Sequence, residues 1–309
     1  MSLPDHGGGL DAAISHYGGH RSDWLDLSTG INPMPFPVPE FAADAWTDLP
    51  DSAAQTALID AARAFWQVPD GADILAAPGA SVLIAQMPRL ADCASVRIAS
   101  PTYNEHAAAF AGHGWQVTKG TAQAQVVVHP NNPTGALWSG ARDTNLLIID
   151  ESFCDVAPAQ SLIKHVTDGR TFVLKSFGKF WGLAGLRLGF AIGDPDLISQ
   201  LRDWLGPWPV SGPALAIGTA ALRDTNWANQ TRTRLKVDSE TLDDLMLWAG
   251  AQVEGGTPLF RLYRVDDAAH WQDKLAQHHI WSRIFPYSQI WLRLGLPAPD
   301  RLSQLKAAL

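Results

Sequence analysis

The sequence predicts an α/β protein with a large domain built on a mostly parallel central sheet and a smaller α+β domain. Two observations support this prediction. Six short apolar runs alternate with stretches long enough to form helices, which is the pattern of layered α/β domains. The chain of 309 residues, with 46% hydrophobic and 17% charged residues, can also bury the core that such an architecture needs.

The six apolar runs are predicted strands of one sheet. Each run is continuously apolar rather than alternating, which indicates that the sheet is buried on both faces. Before all six runs, an alanine-rich stretch from about 48 to 70 has apolar residues at helical spacing and predicts an amphipathic helix. The runs span residues 74–77, 95–100, 124–130, 145–150, 171–176 and 186–193.

The two ends of the chain differ from this central part. Residues 1–45 are rich in Gly and Pro and predict an extended arm that contributes to the smaller domain. Residues 46–220 form the predicted large domain. Residues 221–309 begin with a helical region and continue with three strand-like runs, which predicts the smaller α+β domain. These runs span residues 259–265, 280–286 and 290–296.

Composition and charge argue against several classes of protein. A net charge of −8 without a basic run argues against nucleic-acid binding. No stretch approaches the roughly 20 apolar residues that cross a bilayer, and the first residues lack the features of a signal peptide. Cys93 and Cys154 lie outside any close Cys/His cluster, so we expect neither a metal site nor a disulfide. We expect a cytoplasmic protein.

A loop between two predicted strands contains the main candidate catalytic residue, Lys179. Most lysines are solvated surface residues, but Lys179 lies in the run FGKFWGL (177–183). The apolar side chains of this run would exclude water from the ammonium group and lower its pKa. A neutral amine is the form that Schiff-base chemistry needs. Ser176 and Arg187 flank the run with a hydroxyl and a permanent cation, which suit a phosphate group.

Three further motifs follow predicted strands, at the sheet edge where ligands bind in open α/β sheets. Asp150 ends the strand LLIID and is either a helix N-cap or a fixed anion facing a heterocyclic nitrogen. Asn132, in HPNNPTG, is either part of a turn or a hydrogen-bond partner of a ligand oxygen. Gly79, Ala80 and Ser81 would open a helix whose backbone N–H groups form an anion site. Each motif alone has a structural explanation, but together with Lys179 they indicate a cofactor site.

On these residues, the chain resembles the class I and II aminotransferase family of pyridoxal 5'-phosphate (PLP) enzymes. The matching motifs are PGAS, PTYNE, HPNNPTG, DESF and SFGK, with Arg187 eight residues beyond Lys179. The resemblance covers essentially the whole chain. It implies the PLP-dependent transferase fold type I, with residues 46–220 as the PLP-binding domain. It also implies a homodimer, because the active sites of this fold usually lie at a dimer interface.

The resemblance implies a role for each matching residue. Lys179 would carry PLP as a Schiff base, and Asp150 would pair with the pyridine nitrogen. Asn132 would bond the phenolic oxygen of the ring, and Tyr103 would stack on the ring face. Arg293 would bind the substrate α-carboxylate through a bidentate pair. The cofactor phosphate would be held by Gly79, Ala80, Ser81, Ser176 and Arg187.

Within the family, the chain is most similar to the branch that decarboxylates L-threonine O-3-phosphate to (R)-1-amino-2-propanol O-phosphate in cobalamin biosynthesis. The similarity rests on the N-terminal DHGGGLDAAISHYG, the segment WLDLSTGINPMPFP, the lysine loop SFGKFWGLAGLRLGF and the closing LRLGLP. This branch implies a lyase that acts on a small phosphorylated amino acid. The candidate cations for the substrate phosphate are His6, Arg283 and Arg293. The candidate backbone donors near its carboxylate are Gly30, Ile31 and Asn32.

Other interpretations stay open. The chain could be an aminotransferase for histidinol phosphate or another amino acid, or a non-catalytic scaffold of the same fold. His6 could have a capping or surface role, and Arg283 could form an exposed salt bridge. Phe153 stands where many aminotransferases have a tyrosine, and the short stretch 132–150 leaves little room for a helix. We expect surface positions for His16, His20, His106, His113, His278 and His279.

Overall fold

The computed structural model describes residues 6–140 and 142–309. Its helices are α1 (Leu10–Tyr17), α2 (Ser52–Trp66), α3 (Ala80–Gln86), α4 (Asn104–Gly112), α5 (Pro195–Leu205), α6 (Gly212–Arg223), α7 (Thr225–Trp248), α8 (Ala268–Gln277) and α9 (Leu302–Ala308). Its strands are β1 (Leu25–Asp26), β2 (Asp73–Ala77), β3 (Ser95–Ile98), β4 (Gln116–Thr118), β5 (Ala124–Val128), β6 (Leu146–Asp150), β7 (Thr171–Ser176), β8 (Gly189–Gly193), β9 (Gln252–Thr257), β10 (Phe260–Arg264), β11 (Ile280–Trp281), β12 (Arg283–Phe285) and β13 (Ser288–Gly295). No described helix is both long enough and apolar enough to span a membrane.

Among the described residues, seven strands form a central sheet in the order β2-β8-β7-β6-β5-β3-β4. Only β8 runs against its neighbours in this sheet, β2 and β7, and the other pairs are parallel. The six predicted strands correspond to β2, β3, β5, β6, β7 and β8, which confirms the mostly parallel α/β sheet. The edge strand β4 was not predicted, because only one of its three residues is apolar and the strand is mostly exposed.

Helices cover both faces of this sheet. Alternate residues along each strand point to opposite faces, so the sheet contributes to two apolar cores. One core contains the buried faces of α2 and α6, and the other contains those of α3, α4 and α5. The predicted amphipathic helix is α2, which begins after Asp51, whose side chain accepts a hydrogen bond from the amide of Ala54.

The C-terminal part of the chain forms a separate four-stranded antiparallel sheet in the order β12-β13-β10-β9. Two of the predicted runs correspond to β10 and β13, and the run 280–286 is divided into β11 and β12. Strand β11 is not part of this sheet and instead pairs in parallel with β1 of the N-terminal arm. This pairing ties the arm to the C-terminal part. The domain boundaries near residues 45 and 220 stay predictions.

The connection between β5 and β6 brings a polar turn to the sheet edge. Its described residues, 129–140 and 142–145, contain no helix, as the short sequence predicts. The chain turns at once after β5, where the amide of Gly135 donates to the carbonyl of Asn131 at 2.6 Å. Asn132 lies in this turn and is therefore held at the C-terminal edge of the parallel strands.

Candidate active site

Two cavities meet at the C-terminal edge of the parallel strands, and Lys179 lines both of them. The smaller cavity, of about 120 Å³, is lined by Ala80, Ser81, Asp150, Ser176 and Arg187, among others. The larger is an open cleft of about 690 Å³, lined by residues that include His6, Gly30, Arg283 and Arg293. Tyr103, Asn132 and Phe153 line both. The structure thus brings together most of the residues predicted from the sequence.

Lys179 has the environment of a nucleophilic amine. Burial, together with the positive charges of Arg293 and Arg187 and against the opposing charge of Asp150, lowers its pKa from 10.5 to about 8. A substantial fraction of the amine is therefore neutral near physiological pH. Its Nζ lies 5.3 Å from the centroid of the Phe153 ring.

The aromatic ring beside the Lys179 amine differs from those expected. Phe177, Phe180 and Trp181, its neighbours in sequence, are fully buried in the core. There Phe177 and Trp181 stack with their ring centroids 5.1 Å apart. These rings anchor the loop, whereas the ring facing the amine belongs to Phe153.

Asp150 is held as a buried anion. It is only 2% exposed. Burial alone would raise its pKa, but hydrogen bonds and the charge of His106, with further bonds from Ser152, hold the pKa below its ordinary value. His106 Nε2 lies 2.8 Å from one carboxylate oxygen, and the hydroxyl of Ser152 donates to the other at 2.6 Å. The carboxylate is thus ionised and fixed in orientation, as a partner of a protonated ring nitrogen must be.

His106 is a site residue that the sequence analysis missed, and its predicted surface position is wrong. It is fully buried and contacts Asp150, and its Nδ1 has no hydrogen-bond partner in the described part of the chain. One signal was present in the sequence. His106 follows Tyr103 by three residues at the start of α4, and this spacing places both on one side of a helix. The two rings meet edge to face with centroids 6.0 Å apart.

Replacing His106 with phenylalanine should move the acid limb of the pH–rate profile to higher pH. Without its main hydrogen-bond partner, Asp150 loses part of what depresses its pKa, so its ionised form is lost at a higher pH. We expect a shift of about one unit and a kcat about tenfold lower near the acid limb. The exposed His113 at the end of α4 provides the control, His113→Phe. An acid limb unchanged in His106→Phe would contradict this role.

Two closely packed glycines, Gly79 and Gly189, lie among the predicted phosphate-binding residues. Gly79 has a φ of +91° and is the N-cap of α3, and a Cβ atom on it would lie 2.5 Å from Nη2 of Arg187. Gly189 packs as closely, since its Cβ would lie 2.4 Å from the amide nitrogen of Ala80. Only glycine fits at these two positions. The guanidinium of Arg187 is therefore held against the loop that opens α3, beside the Ser176 end of β7.

Arg293 is a buried cation at the wall of the cleft. Its Nη1 donates to Oδ1 of Asn132, and its Nη2 donates to the carbonyl of Ser28 at 2.6 Å. Burial and the charge of Arg283 lower its pKa to about 10. Its Nε has no hydrogen-bond partner among the described residues. A buried guanidinium with an unused donor beside a cleft suits a substrate carboxylate.

The other predicted substrate residues fall into two groups. His6 and Gly30 line the cleft, where His6 Nε2 lies 2.6 Å from a carboxylate oxygen of Glu105 and the carbonyl of His6 accepts from Arg283. Ile31 and Asn32 line neither cavity as the described residues define them. The amide of Asn32 donates instead to the carbonyl of Lys179 at 3.0 Å. The predicted use of Asn32 as a backbone donor to the substrate is therefore wrong, because that donor is occupied.

The charged side chains that line the cleft all have the same sign. No Asp or Glu is among its lining residues in the described part of the chain, although the whole chain has a net charge of −8. The cleft is therefore a local positive region that favours an anionic ligand. Its basic lining residues are His6, Lys119, Lys179, Arg283 and Arg293.

A second polar cluster, which is buried, contains His129, Glu151 and Cys154, whose ligand atoms lie within 4.8 Å of one another. Both nitrogens of His129 are engaged, one with the carbonyl of Gln160 at 2.7 Å and one with the amide of Trp138 at 3.0 Å. Glu151 accepts from Lys175 at 2.6 Å. His129 and Glu151 are thus satisfied by other groups inside the protein, so we interpret the cluster as structural.

Comparisons with known proteins agree with this geometry. A family model described as aminotransferase class I and II matches residues 52–308. A threonine-phosphate decarboxylase from Sinorhizobium sp is 39% identical, over 100% of this chain and 98% of its own. One from Pseudomonas aeruginosa is 38% identical, over 99% and 97%. A histidinol-phosphate aminotransferase from Sinorhizobium meliloti, solved with pyridoxal-5'-phosphate, has a TM-score of 0.81 at 19% identity, covering 100% of this chain and 94% of its own.

Proposed function

The chain belongs to the aminotransferase class I and II family, and from this premise we propose that it is a PLP-dependent carbon–carbon lyase. Its proposed reaction is the decarboxylation of L-threonine O-3-phosphate to (R)-1-amino-2-propanol O-phosphate. The observation that carries the proposal is the cleft beside Lys179, whose charged lining residues are all basic. A phosphorylated amino acid has two anionic groups, and such a cleft suits both. The two decarboxylases with 39% and 38% identity support the same substrate.

The residues of the smaller cavity fit PLP. The amine of Lys179, with its lowered pKa, matches the PLP aldehyde. The buried carboxylate of Asp150 matches the ring nitrogen, and the guanidinium of Arg187 beside Gly79 matches the phosphate. When bound, PLP supplies the electron sink for the bond that breaks at Cα. We assign its phosphate to Gly79, Ala80, Ser81, Ser176 and Arg187, its ring face to Tyr103 and its phenolic oxygen to Asn132.

The chain's own residues would orient the substrate and move one proton. We assign Arg293 to the substrate carboxylate and Arg283 and His6 to its phosphate. Lys179 Nζ, with a pKa of about 8, can both hold and release a proton near neutral pH, and we assign to it the return of a proton to Cα. Asp150 keeps its negative charge throughout, because its hydrogen bonds favour the ionised form.

Product identification tests the proposal. The protein is incubated with L-threonine O-3-phosphate and PLP, and CO2 and the amino alcohol phosphate are measured. A parallel assay supplies an amino donor with 2-oxoglutarate. We expect stoichiometric CO2 and no glutamate. Glutamate without CO2 would identify an aminotransferase, and a protein that stays colourless after PLP is added would support the scaffold interpretation.

Replacing Arg283 with alanine should raise the KM for L-threonine O-3-phosphate at least about tenfold, since a charge-assisted contact to phosphate is lost. PLP binding should be unchanged, because Arg283 lines the open cleft and not the smaller cavity. The control is Arg264→Ala, which removes an exposed arginine paired with Glu254 on the neighbouring strand. Equal KM values for Arg283→Ala and the unmodified enzyme would exclude Arg283 from the phosphate site.

The proposal extends to a homodimer that works in the cytoplasm in cobalamin biosynthesis. Large apolar side chains that are exposed on this chain would be candidates for burial in the dimer. Two free cysteines support a reducing compartment. Light scattering coupled to size-exclusion chromatography measures the mass in solution, and a mass of one chain, 33.4 kDa, would contradict the dimer. The exposed side chains include Met34, Val38, Trp46, Leu49 and Trp208.

A further inference from the structure

The N-terminal arm holds the loop of Lys179 through three consecutive backbone carbonyls. The carbonyl of Lys179 accepts from the amide of Asn32 at 3.0 Å, and that of Trp181 accepts from the amide of Phe36 at 2.9 Å. Between them, the carbonyl of Phe180 accepts from the side-chain amide of Asn32 at 2.9 Å. Asn32 therefore makes two of the three bonds, one from its backbone and one from its side chain.

Asn32 is itself fixed from the opposite side. It is 2% exposed. Its Oδ1 accepts from the amide of Met34 at 3.0 Å and from the guanidinium of Arg234 at 2.7 Å. Arg234 lies on α7 and is in turn paired with Asp238 at 2.7 Å. The side chain of Asn32 thus connects helix α7 to the lysine loop.

The arm and the lysine loop are in direct backbone contact. Gly182, with a φ of +70°, closes the loop, and a Cβ atom on it would lie 2.6 Å from Cα of Pro35 and 2.9 Å from the carbonyl oxygen of Asn32. The backbones of the two segments are therefore packed directly against each other at this point. A change in the arm is therefore transmitted to the loop.

The same arm reaches the substrate cleft a few residues earlier. The carbonyl of Ser28 accepts from Arg293. A Cβ atom on Gly30 would lie 2.9 Å from the ring of Phe153, the ring that faces the Lys179 amine. Residues 28–36 therefore contact the carboxylate-binding arginine, the ring beside the amine and the backbone of the lysine loop.

We propose that Asn32 is a positioning residue that fixes the amine of Lys179 by holding the backbone of residues 179 and 180 against the arm. The inference rests on the proposed function in one respect, that Lys179 is the residue that binds PLP. Asn32 itself lines neither of the two cavities. Its loss would let the loop shift, so that the amine gains access to water and is no longer held beside Phe153.

The test replaces Asn32 with leucine, which has the same number of side-chain heavy atoms, adds no charge and cannot donate to Phe180. The full chain is freed of PLP, PLP is added back, and the rate of covalent attachment is followed by absorbance as a function of pH. In the unmodified protein the rate should rise with a midpoint near the lysine pKa of about 8. In Asn32→Leu the midpoint should move upwards, because a more hydrated amine has a higher pKa, and the rate at neutral pH should fall about fivefold.

The control is Arg234→Gln, which removes the bond between α7 and Asn32 but leaves both bonds from Asn32 to the lysine loop. The charges that act on the pKa of Lys179 belong to Arg293, Asp150 and Arg187, and neither variant changes them. Arg234→Gln should lower the unfolding temperature while keeping the midpoint and rate of the unmodified protein. If Asn32→Leu does not fold, Asn32→Ala gives the same comparison, because alanine is smaller and also cannot donate to Phe180.

The outcomes separate this inference from the proposed function. A folded Asn32→Leu or Asn32→Ala with an unchanged midpoint and rate, and only a lower unfolding temperature, would overturn the positioning role alone. An unmodified protein that attaches no PLP at Lys179 would overturn both. A raised midpoint in the Asn32 variant together with normal attachment in Arg234→Gln would support the inference, whichever substrate the enzyme proves to use.

Discussion

Lys179→Ala should lose turnover by at least about 10³-fold and should lose all covalently bound PLP, because the nucleophilic amine is gone. The fold should persist, since the loop is anchored by the buried rings of Phe177 and Trp181 rather than by the lysine side chain. Lys175, four residues earlier, cannot take over. Burial would lower its pKa, but the adjacent carboxylates of Glu151 and Asp155 raise it above its ordinary value, so this amine stays charged.

Borohydride reduction followed by peptide mapping measures this prediction directly. The unmodified protein should give a pyridoxyl label on the peptide that contains Lys179, and Lys179→Ala should give none. The control is Lys164→Ala, which removes an exposed lysine and should label normally. A label on Lys175, or normal turnover in Lys179→Ala, would show that the catalytic amine has been assigned to the wrong residue.

Asp150→Asn should retain bound PLP and lose most of kcat, by about 10²- to 10³-fold, while KM changes little. The substitution keeps the shape of the side chain but removes the negative charge that would keep the ring nitrogen protonated. Losing one fixed electrostatic contact of this kind in a buried site has an effect of that size. Because the phosphate is held by other residues, at the glycine loop and Arg187, the cofactor should stay bound.

Steady-state kinetics with a spectroscopic measure of PLP content test Asp150→Asn. Asp143→Asn is the control, because Asp143 is an exposed carboxylate paired with Arg97 and lies outside both cavities. A kcat within a factor of about two of the unmodified enzyme would remove Asp150 from the mechanism, since rate effects that small correspond to less than a typical hydrogen bond.

The sheet could be predicted from the sequence because burial on both faces leaves a clear local pattern. Strands β5 to β8 consist of nearly unbroken apolar residues, and that pattern does not depend on distant contacts. Strand β9 left no such signal, because QVEGGT is polar, glycine-rich and mostly exposed along its first half. The residues that end the buried strands could be predicted for the same reason as the strands themselves.

The supporting residues of the site could not be predicted, because their partners are distant in sequence. Asn32 and the Phe180 carbonyl are separated by 148 positions, and His106 and Asp150 by 44. Nothing in the segment NEHAAAF shows that its histidine faces a carboxylate at the end of a later strand. The ring beside Lys179 was misassigned for a similar reason, since Phe153 comes from a different loop.

The single reversed strand of the central sheet explains how the residues assigned to the cofactor phosphate come together. Gly189 at the start of β8 pairs with Ala77 at the end of β2 and with Ser176 at the end of β7. If β8 were parallel to its neighbours, its C-terminal end would lie at this edge of the sheet. The residues that precede β8, including Arg187, would then lie at the opposite edge. The direction and register of β8 therefore place Arg187 beside Gly79 and Ser176. A one-residue slip of β8 would turn Gly189 away from Ala80, and a single insertion between Arg187 and Gly189 would displace Arg187 from Gly79 without replacing any residue of the phosphate site.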